Sequence, residues 1–168
     1  WFLLIIILFQ PELRRALATF GLRSRLIRAF ARHEEAHMID EIVRTATSLA
    51  GKKTGAIIVL ERESKLSDSI DSGVAIDARL SRRLLESIFY PGSPLHDGAV
   101  VLQGDRVVAA SCFLPLALSP DVSEELGTRH RAAIGLTEDT DAIVIVVSEE
   151  TGSVSLVRAG VISQGLDA

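Results

Sequence analysis

The chain has 168 residues, 48% of them hydrophobic and 24% charged, with a net charge of −4. That length and apolar content fit one globular domain with a proper core, and exclude a disordered or collagen-like chain. The single cysteine excludes a disulfide framework, and the acidic balance argues against a nucleic-acid partner.

Charge is distributed unevenly. Residues 1–32 hold six arginines and one acid, for +5, whereas residues 33–168 carry −9. Residues 1–9 form an unbroken apolar run beginning with Trp rather than Met. Nine residues are too few to cross a bilayer, so the run reads as the end of a transmembrane helix whose start is missing. The arginines that follow suit the cytoplasmic side of a membrane. The expected organisation is therefore a membrane-proximal part, residues 1–32, and a globular body, residues 33–168, at the cell membrane facing the cytoplasm.

In chain order, residues 11–32 read as a helix with Gly21 as a break. Met38 to Ala50 is apolar at helical spacing and predicts a second helix. A loop over 51–55 leads to a buried strand, Ala56–Leu60, with a polar, turn-rich segment over 61–73. A short strand is expected within 74–80. Ser81 signals the cap of a helix reaching Phe89 before Pro91-Gly92. A Pro/Gly loop enters a strand over 100–103, and Gly104-Asp105 turns it into a return strand over 106–114. Residues 119–126 carry helix-start signals, and 127–134 passes from loop into helix. Residues 142–147 form the most strongly patterned strand, followed by a turn at Thr151-Gly152 and a strand over 153–158. Strands and helices alternate with hairpins among them, which predicts an α/β domain: a mixed central sheet flanked by helices.

Four segments hold candidate chemistry. His33-Glu34-Glu35-Ala36-His37 matches the H-E-x-x-H pattern of zinc hydrolases. Its charged neighbours favour a solvated polar face instead. His96-Asp97-Gly98-Ala99 stands between a loop and a strand. Asp97 can ligate a metal or draw a proton from a hydroxyl, His96 adds a nitrogen ligand, and Gly98 and Ala99 admit a ligand close to the backbone. The competing reading is an ordinary Asp-Gly turn.

Gly127-Thr128-Arg129-His130-Arg131 straddles a helix start, where free N–H groups and arginine forks suit phosphate. Thr128 can cap that helix, and pairing of the arginines with Glu124 and Glu125 is the alternative. Ser148-Glu149-Glu150 ends a strand, where Glu150 could complete a metal site or simply be exposed. Cys112, mid-strand, reads as a core filler.

Asp97-Gly98-Ala99 followed about thirty residues later by Arg129-His130-Arg131 resembles the paired signatures of the diadenylate cyclase (DAC) domain family. Residues 94–100, Leu114-Pro115-Leu116, 127–135 and 148–150 follow the family's order. Residues 10–15 after the apolar run resemble its membrane-bound bacterial branch.

The resemblance implies condensation of two ATP into cyclic di-AMP and two pyrophosphates, at the face-to-face interface of a homodimer. It implies a divalent metal (Mn, Mg or Co) held by Asp97, His96 and Glu150. Asp97, Arg129 and Arg131 would be catalytic, and Gly98, Ala99, Leu114, Thr128, Arg129, His130, Arg131 and Ser148 would bind nucleotide. It further suggests a membrane-tethered regulator and phosphoglucosamine mutase as partners. The rival reading is a catalytically silent, membrane-associated ATP sensor.

Overall fold

The computed structural model describes residues 22–117 and 127–165. The apolar run and the segment 119–126 therefore lie outside the described residues. The chain divides into two compact units, residues 1–36 and 37–168. No helix among the described residues is long and apolar enough to cross a membrane.

The elements run α1 (Leu22–Gly51), β1 (Ala56–Leu60), α2 (Ser67–Asp71), β2 (Val74–Arg79), α3 (Arg82–Ile88), β3 (Ala99–Gln103), β4 (Arg106–Cys112), α4 (Thr128–Asp139), β5 (Ile143–Val147), β6 (Val154–Arg158) and β7 (Val161–Gln164). The seven strands form one sheet in the order β2-β4-β3-β1-β5-β6-β7. Only β1 and β3 are parallel, and every other pair is antiparallel, so the sheet is mixed as expected.

The core follows the period-2 alternation of strand side chains. Ile57, Val59, Val101, Ala109, Val144, Val146 and Val157 face one side and pack on Ala132, Ala133, Ile134 and Leu136 of α4. Ala56, Ile58, Val100, Leu102, Val107 and Val147 face the other and pack on Ile42, Ala46 and Leu49 of α1 and on Leu85, Ile88 and Phe89 around α3. Both sheet faces are thus covered by helices. Central β1 is almost wholly buried, which explains its continuous apolar run.

Several boundaries differ from the sequence reading. Residues 22–51 form one helix, with no break between the two segments expected there. The turn-rich segment contains the short helix α2, whose only apolar residue, Ile70, is half-buried. The α3 cap is as expected, with Ser81 Oγ accepting from the Leu84 N–H at 3.3 Å. Strand β7 was not anticipated; it returns from β6 through Ala159 and Gly160, both in the left-handed region. The edge strand β2 carries a bulge at Asp77 (φ 47°), whose carboxylate pairs with Arg106 at 2.7 Å. Such a bulge with charges blunts the edge against pairing with another chain.

Candidate functional site

Register decides which residues meet. β1 and β3 are parallel with Ile58 opposite Val100, so the start of β1 and the Asp97-Gly98 entry to β3 share one end of the sheet. β4 and β5 run antiparallel to these neighbours. Ala99 faces Cys112 and Ala56 faces Val147, which brings residues 112–114 and 148–150 to that same end. Four segments separated by up to 94 positions in the chain therefore converge on one rim.

At this rim the entry to β3 is tightly shaped. Gly98 has φ +102°, and a Cβ there would stand 2.8 Å from the Ser111 carbonyl carbon and 2.9 Å from the Cys112 carbonyl oxygen. Only glycine fits without displacing main chain. Opposite it, β4 is bulged: Ala99 to Val101 spans two steps while Cys112 to Ala109 spans three. Ser111 adopts φ +55° in the bulge, and its hydroxyl donates to the Asp97 carbonyl at 2.7 Å. Bulges of this kind re-aim a side chain at functional rims. Beside this bulge Asp97 is exposed, its carbonyl tied to the Ser111 hydroxyl.

His96 is half-buried, and its Nδ1 lies 2.6 Å from the Ser93 carbonyl oxygen. A carbonyl can only accept, so Nδ1 carries a proton, and in the neutral ring Nε2 is the nitrogen left to ligate. Metal-ligating histidines commonly have this arrangement. The donor set of imidazole nitrogen and adjacent carboxylate thus fits a divalent transition metal. Among the described residues, no group of three His, Cys, Asp or Glu side chains is close enough to hold an ion by itself. Glu150 is exposed in the turn after β5.

Helix α4 begins at Thr128, capped by the backbone of Gly127 with no side-chain hydrogen bond. The expected Thr128 cap is corrected: Thr128 is the first helical residue and is exposed, because the extended residue before the helix is Gly127. The N–H groups of His130 and Arg131 bond back to the Gly127 carbonyl at 3.0 and 3.2 Å. Those of the preceding residues have no partner within the helix, as at any helix start.

Within this first turn the three basic residues part company, since neighbours two apart on a helix lie about 200° round. Arg131 is exposed. His130 is buried, its Nε2 3.3 Å from the buried Ser155 hydroxyl, and burial lowers its pKa from the usual imidazole value. Arg129 turns toward the sheet rim. Its Nη1 pairs with Glu149 Oε2 at 2.7 Å, and its guanidinium lies against Gly55, where a Cβ would come within 2.6 Å of Cζ.

Leu114 is half-buried against the core on the α4 side. Ser148 closes the β5–β6 turn, receiving Gly152 N–H on its carbonyl and Thr151 N–H on its hydroxyl. Sequence reasoning missed Gly55, Ser111, Glu149 and Ser155. Glu149 sat inside a motif already singled out; the others carried no pattern of their own. Cys112 is buried, as expected of a core filler, and burial pushes its thiol up to about 11. Of the H-E-x-x-H segment, Glu35 and His37 are exposed on α1.

Comparison with known proteins yields consistent relatives. Residues 43–162 match the family model described as DAC, DisA bacterial checkpoint controller nucleotide-binding. The chain is 48% identical over 161 residues to a diadenylate cyclase of Listeria monocytogenes and 47% identical over 161 residues to the cyclic di-AMP synthase CdaA of Bacillus subtilis. Each alignment covers 95% of this chain but 59% of the relative. Among solved structures, a double mutant of DacA from Staphylococcus aureus superposes with a TM-score of 0.78 at 41% identity, over 80% of this chain and 90% of that one. A hypothetical membrane spanning protein from Bacillus cereus gives 0.75 at 39% identity, over 96% and 79%.

Proposed function

The chain belongs to the DAC family, and from that premise we propose that it is a diadenylate cyclase, condensing two ATP into cyclic di-AMP with release of two pyrophosphates. The observation that carries this reading is the convergence at one sheet rim of an exposed carboxylate, Asp97, and a helix start bearing Arg129. The reaction needs both. Each ribose 3′-hydroxyl must lose a proton as it attacks the other nucleotide's α-phosphate, and the charge on the phosphates and departing pyrophosphate must be held.

Asp97 accepts the hydroxyl proton. The N–H groups at the start of α4 that have no partner within the helix, together with Arg129 and Arg131, hold phosphate oxygens. Thr128 and Ser148 offer hydroxyls, and the small Gly98 and Ala99 with Leu114 line the nucleotide. His130 contributes from beneath by tying the first turn of α4 to β6 through Ser155. His96 and Asp97 would hold a divalent cation, Mn, Mg or Co, which when bound supplies Lewis-acid polarisation of the phosphates; Glu150 forms no three-ligand group with them among the described residues.

Two identical nucleotides react twice, so two copies of the site must face each other about a two-fold axis. Activity should then fall faster than linearly on dilution. The basic, apolar segment 1–32 is proposed as a membrane attachment that leaves the cyclase body in the cytoplasm; the likeness to a protein described as membrane spanning supports this.

The test is to incubate the chain with ATP and Mn or Mg and resolve the products by chromatography with mass detection. Cyclic di-AMP is expected, with the rate reduced about 10²–10⁴-fold in Asp97→Asn while ATP still binds. ATP binding without product, even at high protein concentration, would instead support the silent sensor.

A further inference from the structure

We propose that Glu149 is a positioning residue for Arg129, fixing the guanidinium over Gly55 so that its remaining N–H groups are already aimed when a nucleotide triphosphate arrives. The inference rests on the reading of Arg129 as a phosphate-binding residue. Three observations from different parts of the chain meet at this one side chain.

The first is the ion pair itself. Arg129 Nη1 and Glu149 Oε2 are 2.7 Å apart, and the arginine side chain is only 24% exposed. The second is the floor beneath it. Gly55 lets the guanidinium lie against main chain, where a Cβ would stand 2.6 Å from Cζ, 2.7 Å from Nη1 and 3.0 Å from Nε. The third is the rigidity of the carboxylate's support. Glu149 lies in the β5–β6 turn, closed by Ser148 N–H to the Ser153 carbonyl and Gly152 N–H to the Ser148 carbonyl, both at 3.0 Å. Gly152, at φ +77°, packs so closely that a Cβ would meet the Ala50 carbonyl oxygen of α1 at 2.7 Å.

A guanidinium has five N–H donors in a fixed fork, and the contact through Nη1 leaves others to meet phosphate. Free arginine loses about 2 kcal/mol of rotamer entropy when ordered, and Glu149 removes much of that loss before binding. The same carboxylate offsets part of the arginine's charge, so it does not strengthen the hold on ground-state ATP. Its contribution is alignment, which appears in turnover. Because the Glu149 side chain is 59% exposed, the pair adds little to stability.

In Glu149→Ala, kcat should therefore fall about tenfold or more, while KM for ATP holds within threefold or drops and the melting temperature is unchanged. Glu149→Gln, which keeps an acceptor, should recover most of the turnover. A second readout needs no activity: the Arg129 Nε–H order parameter, measured by nitrogen relaxation on the full chain. It should be near the rigid value in the wild type and below about 0.6 in Glu149→Ala. Unchanged kcat, loss of turnover in step with loss of melting temperature, or no recovery with glutamine would overturn the proposal. So would an Arg129 side chain already mobile in the wild type. If the wild type makes no cyclic di-AMP, the functional reading fails, and the order parameter still decides whether Glu149 positions Arg129.

Discussion

Replacing Gly98 by alanine tests the rim where its constraints are strongest. Two separable costs arise. An L-residue forced to φ +102° carries backbone strain of about 1–3 kcal/mol. The new methyl also stands 2.8–3.1 Å from main-chain atoms of Ser111 and Cys112, which cannot swing aside, and overpacking of this kind costs about 1–3 kcal/mol. The expected loss is about 2–6 kcal/mol. For a domain of this size, that lowers the melting temperature by at least about 4 °C, at 2–4 °C per kcal/mol.

Gly104→Ala supplies the control. Gly104 also has positive φ (+56°), but nothing lies within 4 Å of its would-be Cβ, so only the conformational cost applies. Equilibrium denaturation of both variants, followed by the cyclic di-AMP assay, reads the difference. Gly98→Ala should also lose about 10²-fold in turnover, because Asp97 moves with the displaced backbone. If Gly98→Ala is no more destabilising than Gly104→Ala, the close approach to the β4 bulge is not what requires glycine here.

Arg131→Ala should weaken ATP binding in calorimetry; unchanged affinity and rate would remove Arg131 from the site. Cys112, raised to about 11 by burial, should resist thiol reagents at pH 8 until the chain unfolds. Its folded pKa lies above the unfolded 9.0, so its contribution is complete below pH 9 and is lost as pH rises through 11. Wild type should therefore lose about 2–3 kcal/mol more than Cys112→Ala between pH 8 and 11; parallel curves would refute this. His130 titrates the other way: its folded pKa is lowered by burial, so its contribution is present above the ordinary 6.5 and lost as pH falls through the folded value. Denaturant midpoints should decline more steeply below pH 6.5 in wild type than in His130→Gln, and equal slopes would show that the imidazole is not desolvated.

Local pattern alone determined a good deal of this protein. The β-branched runs at 56–60 and 143–147, the Ser81 cap and the Gly104-Asp105 turn are short-range signals, and each became the expected element. So did the mixed, helix-covered sheet, because alternating elements with hairpins leave few ways to bury both faces. The Asp-Gly-Ala and Arg-His-Arg signatures were legible because each is contiguous.

What the chain did not reveal depends on neighbours distant in sequence. The last turns of α1 are held by burial of Ile42, Ala46 and Leu49 on the sheet. Strand β7 exists because β6 offers it an edge to pair with. The parting of Arg129 from Arg131 follows from where the helix starts, which Gly127 decides. Gly55, 74 positions before Arg129, and Glu149, 20 after it, are unremarkable in sequence. They become one site only because β1 and β5 are hydrogen-bonded neighbours whose ends meet the first turn of α4. Side-chain direction and strand register, which no local pattern encodes, decide which charges touch.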